Sequence, residues 1–133
     1  MEKEDKELLL KDLCARLSYG VILDNPNPCG EHWDELISID VSNGTVTLLY
    51  DGRTYKVEKI KPYLRPMSSM TEEEKKEFES LGWRVDELDG NVPWNHNVYN
   101  VFEGVDWLNS HHFDYRGLIP IGLALEAKEG MYE

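Results

Sequence analysis

Leu36 to Ile60 reads LISIDVSNGTVTLLYDGRTYKVEKI, and its alternation decides the fold. Ile37, Ile39 and Val41 alternate with Ser38, Asp40 and Ser42. Val46, Leu48 and Tyr50 repeat the pattern, and Tyr55 and Val57 continue it. A period of two belongs to a strand with one face buried and one wet. Asn43-Gly44 and Asp51-Gly52 separate the runs. Both dipeptides tolerate the positive φ that a tight hairpin demands. The stretch is therefore expected to fold as a three-stranded, up-and-down antiparallel meander.

The residues before it supply a helix. Leu10, Leu13, Cys14 and Leu17 fall at i, i+3, i+4 and i+7, and Leu9 widens the stripe. That spacing predicts a helix over Glu4 to Leu17 whose apolar face packs on the meander. Cys14 lies in the stripe and reads as core. Gly20 is placed to end the helix in a left-handed conformation. Val21 to Leu23 adds a short fourth strand. Asp24 to Gly30 holds two prolines, two asparagines and a glycine, the composition of a loop. Trp33 is expected to fold over one end of the core as a lid.

After the meander, Pro62 and Pro66 bias their predecessors away from helix. Ile60 to Met67 should be extended and leave the sheet along an edge. Thr71 and Glu74 have capping-box spacing. A helix is expected from there to about Leu81, stopped by Gly82 and touching the core through Phe78 and Leu81. Trp83 to Asn100 mixes turn formers with apolar residues and reads as an irregular loop with one short strand. Asn100 to His112 predicts a third helix, capped by Asn100 and burying Val101, Val105 and Leu108 with Trp107 beside them, with Gly104 weakening it. Leu123 to Leu125 can form a last short strand or helix turn.

The chain has 133 residues, with hydrophobic residues at 41%, enough for one domain with a real core. The expected architecture is a single α+β domain spanning 1–133. An antiparallel meander of three to five strands packs with an N-terminal helix and a C-terminal helical segment, and residues 126–133 form a loose tail. Pairing of Val21–Leu23 and Leu123–Leu125 at the edges would make it a half-open barrel.

The formal net charge is −12, from 14 basic and 26 acidic residues. Binding bare nucleic acid usually needs clustered Lys and Arg, so direct nucleic-acid binding is not expected. An anionic membrane surface is disfavoured likewise, and no run is apolar enough to span a bilayer. MEKEDKELLL lacks the layout of a signal peptide. Cys14 and Cys29 are too few for a disulfide framework. The expected location is cytoplasmic. Acidity alone is compatible with plain solubility or with docking onto a basic partner.

Three groups of residues could carry chemistry or binding. His111, His112 and Asp114, with His96 nearby, are the densest set of metal-ligand types. Adjacent helical residues point about 100° apart, which opposes convergence of His111 and His112 on one ion. Cys29 and His32 stand three apart and could pair a thiolate with an imidazole, yet no second such pair completes a zinc site. Trp94 and Tyr99 could form an aromatic contact surface. There is no phosphate-cradling glycine loop and no nucleophile elbow. The sequence calls for no cofactor.

KDLCARLSYGV at Lys11–Val21, KPYLRPMSSMTEEE at Lys61–Glu74 and VDWLNSHHFDYRGLIPIGLALEA at Val105–Ala127 resemble a group of small uncharacterised proteins from prophages and mobile elements of gut anaerobic bacteria. The resemblance implies a mobile-element setting and transfers no activity or site. The leading expectation is a non-enzymatic accessory protein that binds another protein through an acidic, aromatic surface. The alternative is a metal-dependent or Cys/His enzyme using His111, His112 and Asp114, or Cys29 and His32.

Overall fold

The computed structural model describes residues 1–27, 33–86, 92–95 and 101–132, without the side chains of 85, 86 and 92–95. Among these, three α-helices are present: α1 (Lys3–Arg16), α2 (Glu72–Ser80) and α3 (Val101–Ser110). The strands are β1 (Ile22–Asp24), β2 (Trp33–Asp40), β3 (Thr45–Leu48), β4 (Thr54–Lys56), β5 (Lys61–Pro66), β6 (Trp83–Asp86), β7 (Val92–Asn95), β8 (Phe113–Asp114) and β9 (Leu125–Glu126). Seven of them form one mixed sheet in the order β4-β3-β2-β1-β5-β8, with β9 also on β5. β6 and β7 pair as a separate two-stranded antiparallel sheet, where the sequence suggested an irregular loop with one short strand. The α+β class holds. The sheet is mostly antiparallel and does not close into a barrel.

The meander β2-β3-β4 forms as its turns dictate. Gly44 and Gly52 both have positive φ, +65° and +67°, and Asp40 Oδ1 accepts from Asn43 N at 3.1 Å to brace the first turn. One detail departs from simple alternation. Leu36 pairs with Leu48, but Ser38 pairs with Thr47, so Ile37 is an extra, bulged residue. A bulge swaps the faces on either side of it. Asp34 and Leu36 point inward before it, Ile39 is half-buried after it, and Ile37 and Val41 stand in solvent. Tyr50, expected inward, is also exposed.

The N-terminal helix has the expected stripe one residue early. Leu9, Asp12, Leu13 and Arg16 are its buried positions, at i, i+3, i+4 and i+7. Cys14, read as core, is exposed. The helix is turned so that a charged pair enters the interior: Arg16 Nε donates to Asp12 Oδ2 at 2.8 Å, and both side chains are fully buried. Arg116 Nε lies 3.1 Å from the other oxygen of Asp12 as an ion pair. The guanidinium groups of Arg16 and Arg116 each lie 5.1 Å from the ring of Tyr115, within cation–π range. Leu9 and Leu13 join Leu23, Leu36, Leu48 and Leu64 in the larger core. Full burial of each leucine contributes about 1.5–3 kcal/mol.

The strand β5 is central, not an edge. It pairs antiparallel with β1 and parallel with both β8 and β9. Its prolines are tolerated because other residues make the bonds: Arg65 N donates to His112 O at 2.7 Å, and Leu64 O accepts from Ala127 N at 2.7 Å. Beyond β5, Thr71 and Glu74 form the expected capping box. Phe78 on α2 lies between Trp83 and Trp107, with ring centroids 5.4 and 5.0 Å away. Trp107 stacks on Phe113 in turn, and Met67 and Leu108 complete a second, aromatic core. Gly104 does not weaken α3 idly. It is where Trp83 crosses the helix, and a Cβ there would stand 1.7 Å from Trp83 Nε1.

Candidate functional site

An exposed apolar cluster lies on the outward side of β2 and the turn that follows β3. Strand alternation places Trp33, Glu35 and Ile37 on one side of β2, and Leu49 N bonds Glu35 O at 2.8 Å directly across. Trp33, Ile37, Leu49 and Tyr50 are exposed by 47%, 46%, 45% and 66%. The rings of Trp33 and Tyr50 meet edge to face at 6.3 Å. Trp33 is therefore not the lid that its sequence context suggested.

A buried carboxylate sets this face. Asp34 Oδ1 accepts from Tyr50 N at 2.9 Å, and Oδ2 accepts from Asp51 N at 3.1 Å and from Asn25 Nδ2 at 3.3 Å. Asp51 Oδ2 in turn accepts from Tyr55 Oη at 2.5 Å. The turn carrying Tyr50 is thus tied to the strand carrying Trp33. Acidic residues rim the patch: Asp24 pairs with Trp33 across β1 and β2, and Glu35 shares the face.

A second feature is a cavity of about 670 Å3 between β5, the start of α2, the end of α3 and the C-terminal residues. Arg65 is its fixed wall. Its Nη1 and Nη2 each donate to Glu74 at 2.7 Å, and its guanidinium lies 4.2 Å from the ring centre of Phe113. The Arg65 guanidinium, opposed in part by burial, holds the Glu74 carboxyl down at about 2, from an ordinary 4.5. A carboxyl lowered in this way stabilises the fold above pH 4.5 and loses that contribution as pH falls toward 2. Allowing for partial exposure, the loss should be on the order of 2 kcal/mol. Acid unfolding followed by circular dichroism should show it in the natural chain, and Glu74→Gln should lack that segment of the pH profile. An identical profile in both proteins would refute the role given to this pair.

His111 and His112 line this cavity and Asp114 flanks it, without converging. His111 Nδ1 lies 2.9 Å from Trp107 O, and its ring stacks on Trp107 at 4.1 Å. His112 has φ of +65° and stacks on Tyr132 at 3.6 Å. Burial first, then the charges of Arg16, His111 and Arg65, push His112 down to about 4, so it is neutral near pH 7. Asp114 spends both oxygens on the backbone, accepting from Leu118 N and Ile119 N at 2.9 Å each. Among the described residues, no three or more His, Cys, Asp or Glu side chains gather as metal ligands.

Cys29, His32, His96 and Tyr99 lie outside the described residues, as does the side chain of Trp94; its backbone pairs with Arg84 in the β6–β7 hairpin. Sequence reasoning missed the Trp33–Tyr50 face because it placed both rings inward. The usable signal was the polar–apolar order of Trp33-Asp34-Glu35-Leu36, whose phase is opposite to that of Ile37-Ser38-Ile39-Asp40. Among the described residues no helix is long and apolar enough to cross a membrane. Comparison with protein-family models, curated proteins and solved structures finds no match.

Proposed function

We propose that this protein is a non-enzymatic docking module, acting in the cytoplasm in a phage or mobile-element setting, that binds another protein through the outward side of β2 and the turn after β3. The observation that carries this reading is the solvent-facing set Trp33 and Ile37 on β2 with Leu49 and Tyr50 in the turn after β3, where the rings of Trp33 and Tyr50 meet. Contiguous apolar surface of this kind marks contact sites, and Trp and Tyr are the residues that most often anchor them.

The partner is a basic protein segment with an apolar or aromatic anchor. A chain of net charge −12 attracts positive partners over distance and repels a second copy of itself. The anchor would seat against Trp33 and Tyr50, while its Lys or Arg residues meet the acidic rim. Bare nucleic acid fits neither the charge nor the apolar face.

The test is a displayed library of peptides that combine basic residues with one apolar anchor, beside a library with acidic residues in their place. The natural chain should enrich basic, anchor-bearing peptides, with affinity weakening as salt is raised. Trp33→Ser with Tyr50→Ser should lower that affinity at least tenfold, about 1.4 kcal/mol, with the melting temperature unchanged. Equal enrichment by the variant, or preference for acidic peptides, would overturn the reading. So would sedimentation showing that this face is taken up by a second copy.

A further inference from the structure

The residues expected as a loose tail are clamped at three points. Ala127 N donates to Leu64 O at 2.7 Å on β5. Lys128 Nζ lies 5.9 Å from the ring centre of Tyr63, and a turn closed by Met131 N to Lys128 O, with Gly130 at φ +78°, returns the chain toward the sheet. Tyr132 then enters the sheet itself. Its hydroxyl accepts from Ile22 N at 3.0 Å and donates to Tyr63 O at 2.6 Å. Register would place Ile22 opposite Tyr63, one step beyond the Leu23–Pro62 pair. A side-chain hydroxyl there stands in for a missing rung between β1 and β5. The opposite anchor is the ring of His112, parallel to that of Tyr132 within 12°. This segment also forms one wall of the cavity beside β5.

We propose that residues 127–132 are a releasable strap over that cavity, held by Tyr132 in the β1–β5 gap and by its stack on an uncharged His112, and that placing a proton on His112 lets the strap go. The groups around His112 make the proton unwelcome while the strap is closed. Arg16 comes from α1, Arg65 from β5 and His111 from the end of α3. Glu74, Glu126, Lys128 and Glu129 line the same cavity; Glu74 is committed to Arg65. Burial, the guanidinium groups of Arg16 and Arg65, and repulsion from His111 thus oppose the charge inside, and opening gives the ring to water.

The direction follows. Closed, His112 titrates near 4, and freed it returns toward its ordinary 6.5. The closed form is fully favoured above pH 6.5 and loses ground as pH falls toward 4. Between pH 7 and pH 5 the open population should rise about 20-fold.

Amide hydrogen exchange reads this directly. Protection of Ala127 and Ile22, corrected for intrinsic rates, should fall about 20-fold from pH 7 to pH 5. Leu36 N, bonded to Val21 O within the β1–β2 ladder, should keep its protection. His112→Phe retains the stacked ring without a titrating proton and should flatten the pH dependence. Tyr132→Phe, which keeps the ring and removes the hydroxyl, should already lower protection at Ala127 and Ile22 at pH 7. Constant protection of the natural chain across this range, or an equal fall in His112→Phe, would overturn the proposal. If His112→Phe does not fold, Tyr132→Phe decides: undiminished protection of Ala127 there removes the strap's clamp and the proposal with it.

Discussion

Gly104→Ala should destabilise the protein by about 3 kcal/mol. In an exposed helix the same change would be expected to stabilise by about 1 kcal/mol, since alanine favours helix more than glycine. Here the new methyl would enter the indole of Trp83, whose atoms would lie 1.7, 2.3 and 2.5 Å away. The ring cannot slide aside cheaply, because it stacks on Phe78, which stacks on Trp107. Either α3 retreats from the hairpin or Trp83 leaves the aromatic core. Urea unfolding monitored by tryptophan fluorescence measures the change. Trp83→Leu introduced beside Gly104→Ala should recover part of the loss, because the clash then has no second party. Stabilisation by Gly104→Ala alone would show that Trp83 does not cross the helix at this point.

Asp12→Ala should cost about 4 kcal/mol. The substitution leaves Arg16 charged, fully buried and without its carboxylate, and it removes the counter-ion of Arg116. Arg16 already has two nitrogens, Nη1 and Nη2, without hydrogen-bond partners among the described residues, so it has little else to fall back on. The paired replacement Asp12→Leu with Arg16→Met should behave differently. Replacing a buried ion pair by apolar residues of similar size is often neutral or stabilising, and the double variant should lie within about 1 kcal/mol of the natural chain or above it. Thermal melts of the three proteins separate the outcomes. A double variant as weak as Asp12→Ala would mean that the ions do more than neutralise each other.

What the sequence disclosed was local. Asn43-Gly44 and Asp51-Gly52 announced their turns because the requirement for positive φ is written into the residues themselves. Thr71 and Glu74 announced their cap because both partners lie within one turn of helix. The errors share a cause: each turned on a partner that the local pattern of polar and apolar residues does not show. The stripe of α1 was sought among apolar residues, whereas its inner face includes Asp12 and Arg16, made tolerable by each other and by Arg116. The phase of β2 was carried through Ile37, where a bulge reverses it. Pro62 and Pro66 argued for an edge, but β5 finds its bonds through Leu64 and Arg65. The outward aromatic face followed from these same shifts, and so it too was hidden. The tail looked idle because nothing near Tyr132 in sequence explains it.

Tyr132 also has a consequence for how the chain is made. Its hydroxyl closes a gap at Ile22, 110 residues earlier, and β9 reaches β5 from the same late stretch. Synthesis runs from the N-terminus, so β1 and β5 emerge long before the groups that complete them. A nascent chain can assemble the β2-β3-β4 ribbon early from near neighbours. Its middle strand must then wait, with backbone groups open, until residues 125–132 have emerged. Contacts of such long span form slowly and leave strand edges available in the meantime. A chain halted before residue 125 would therefore carry an unfinished centre, a ready substrate for proteases.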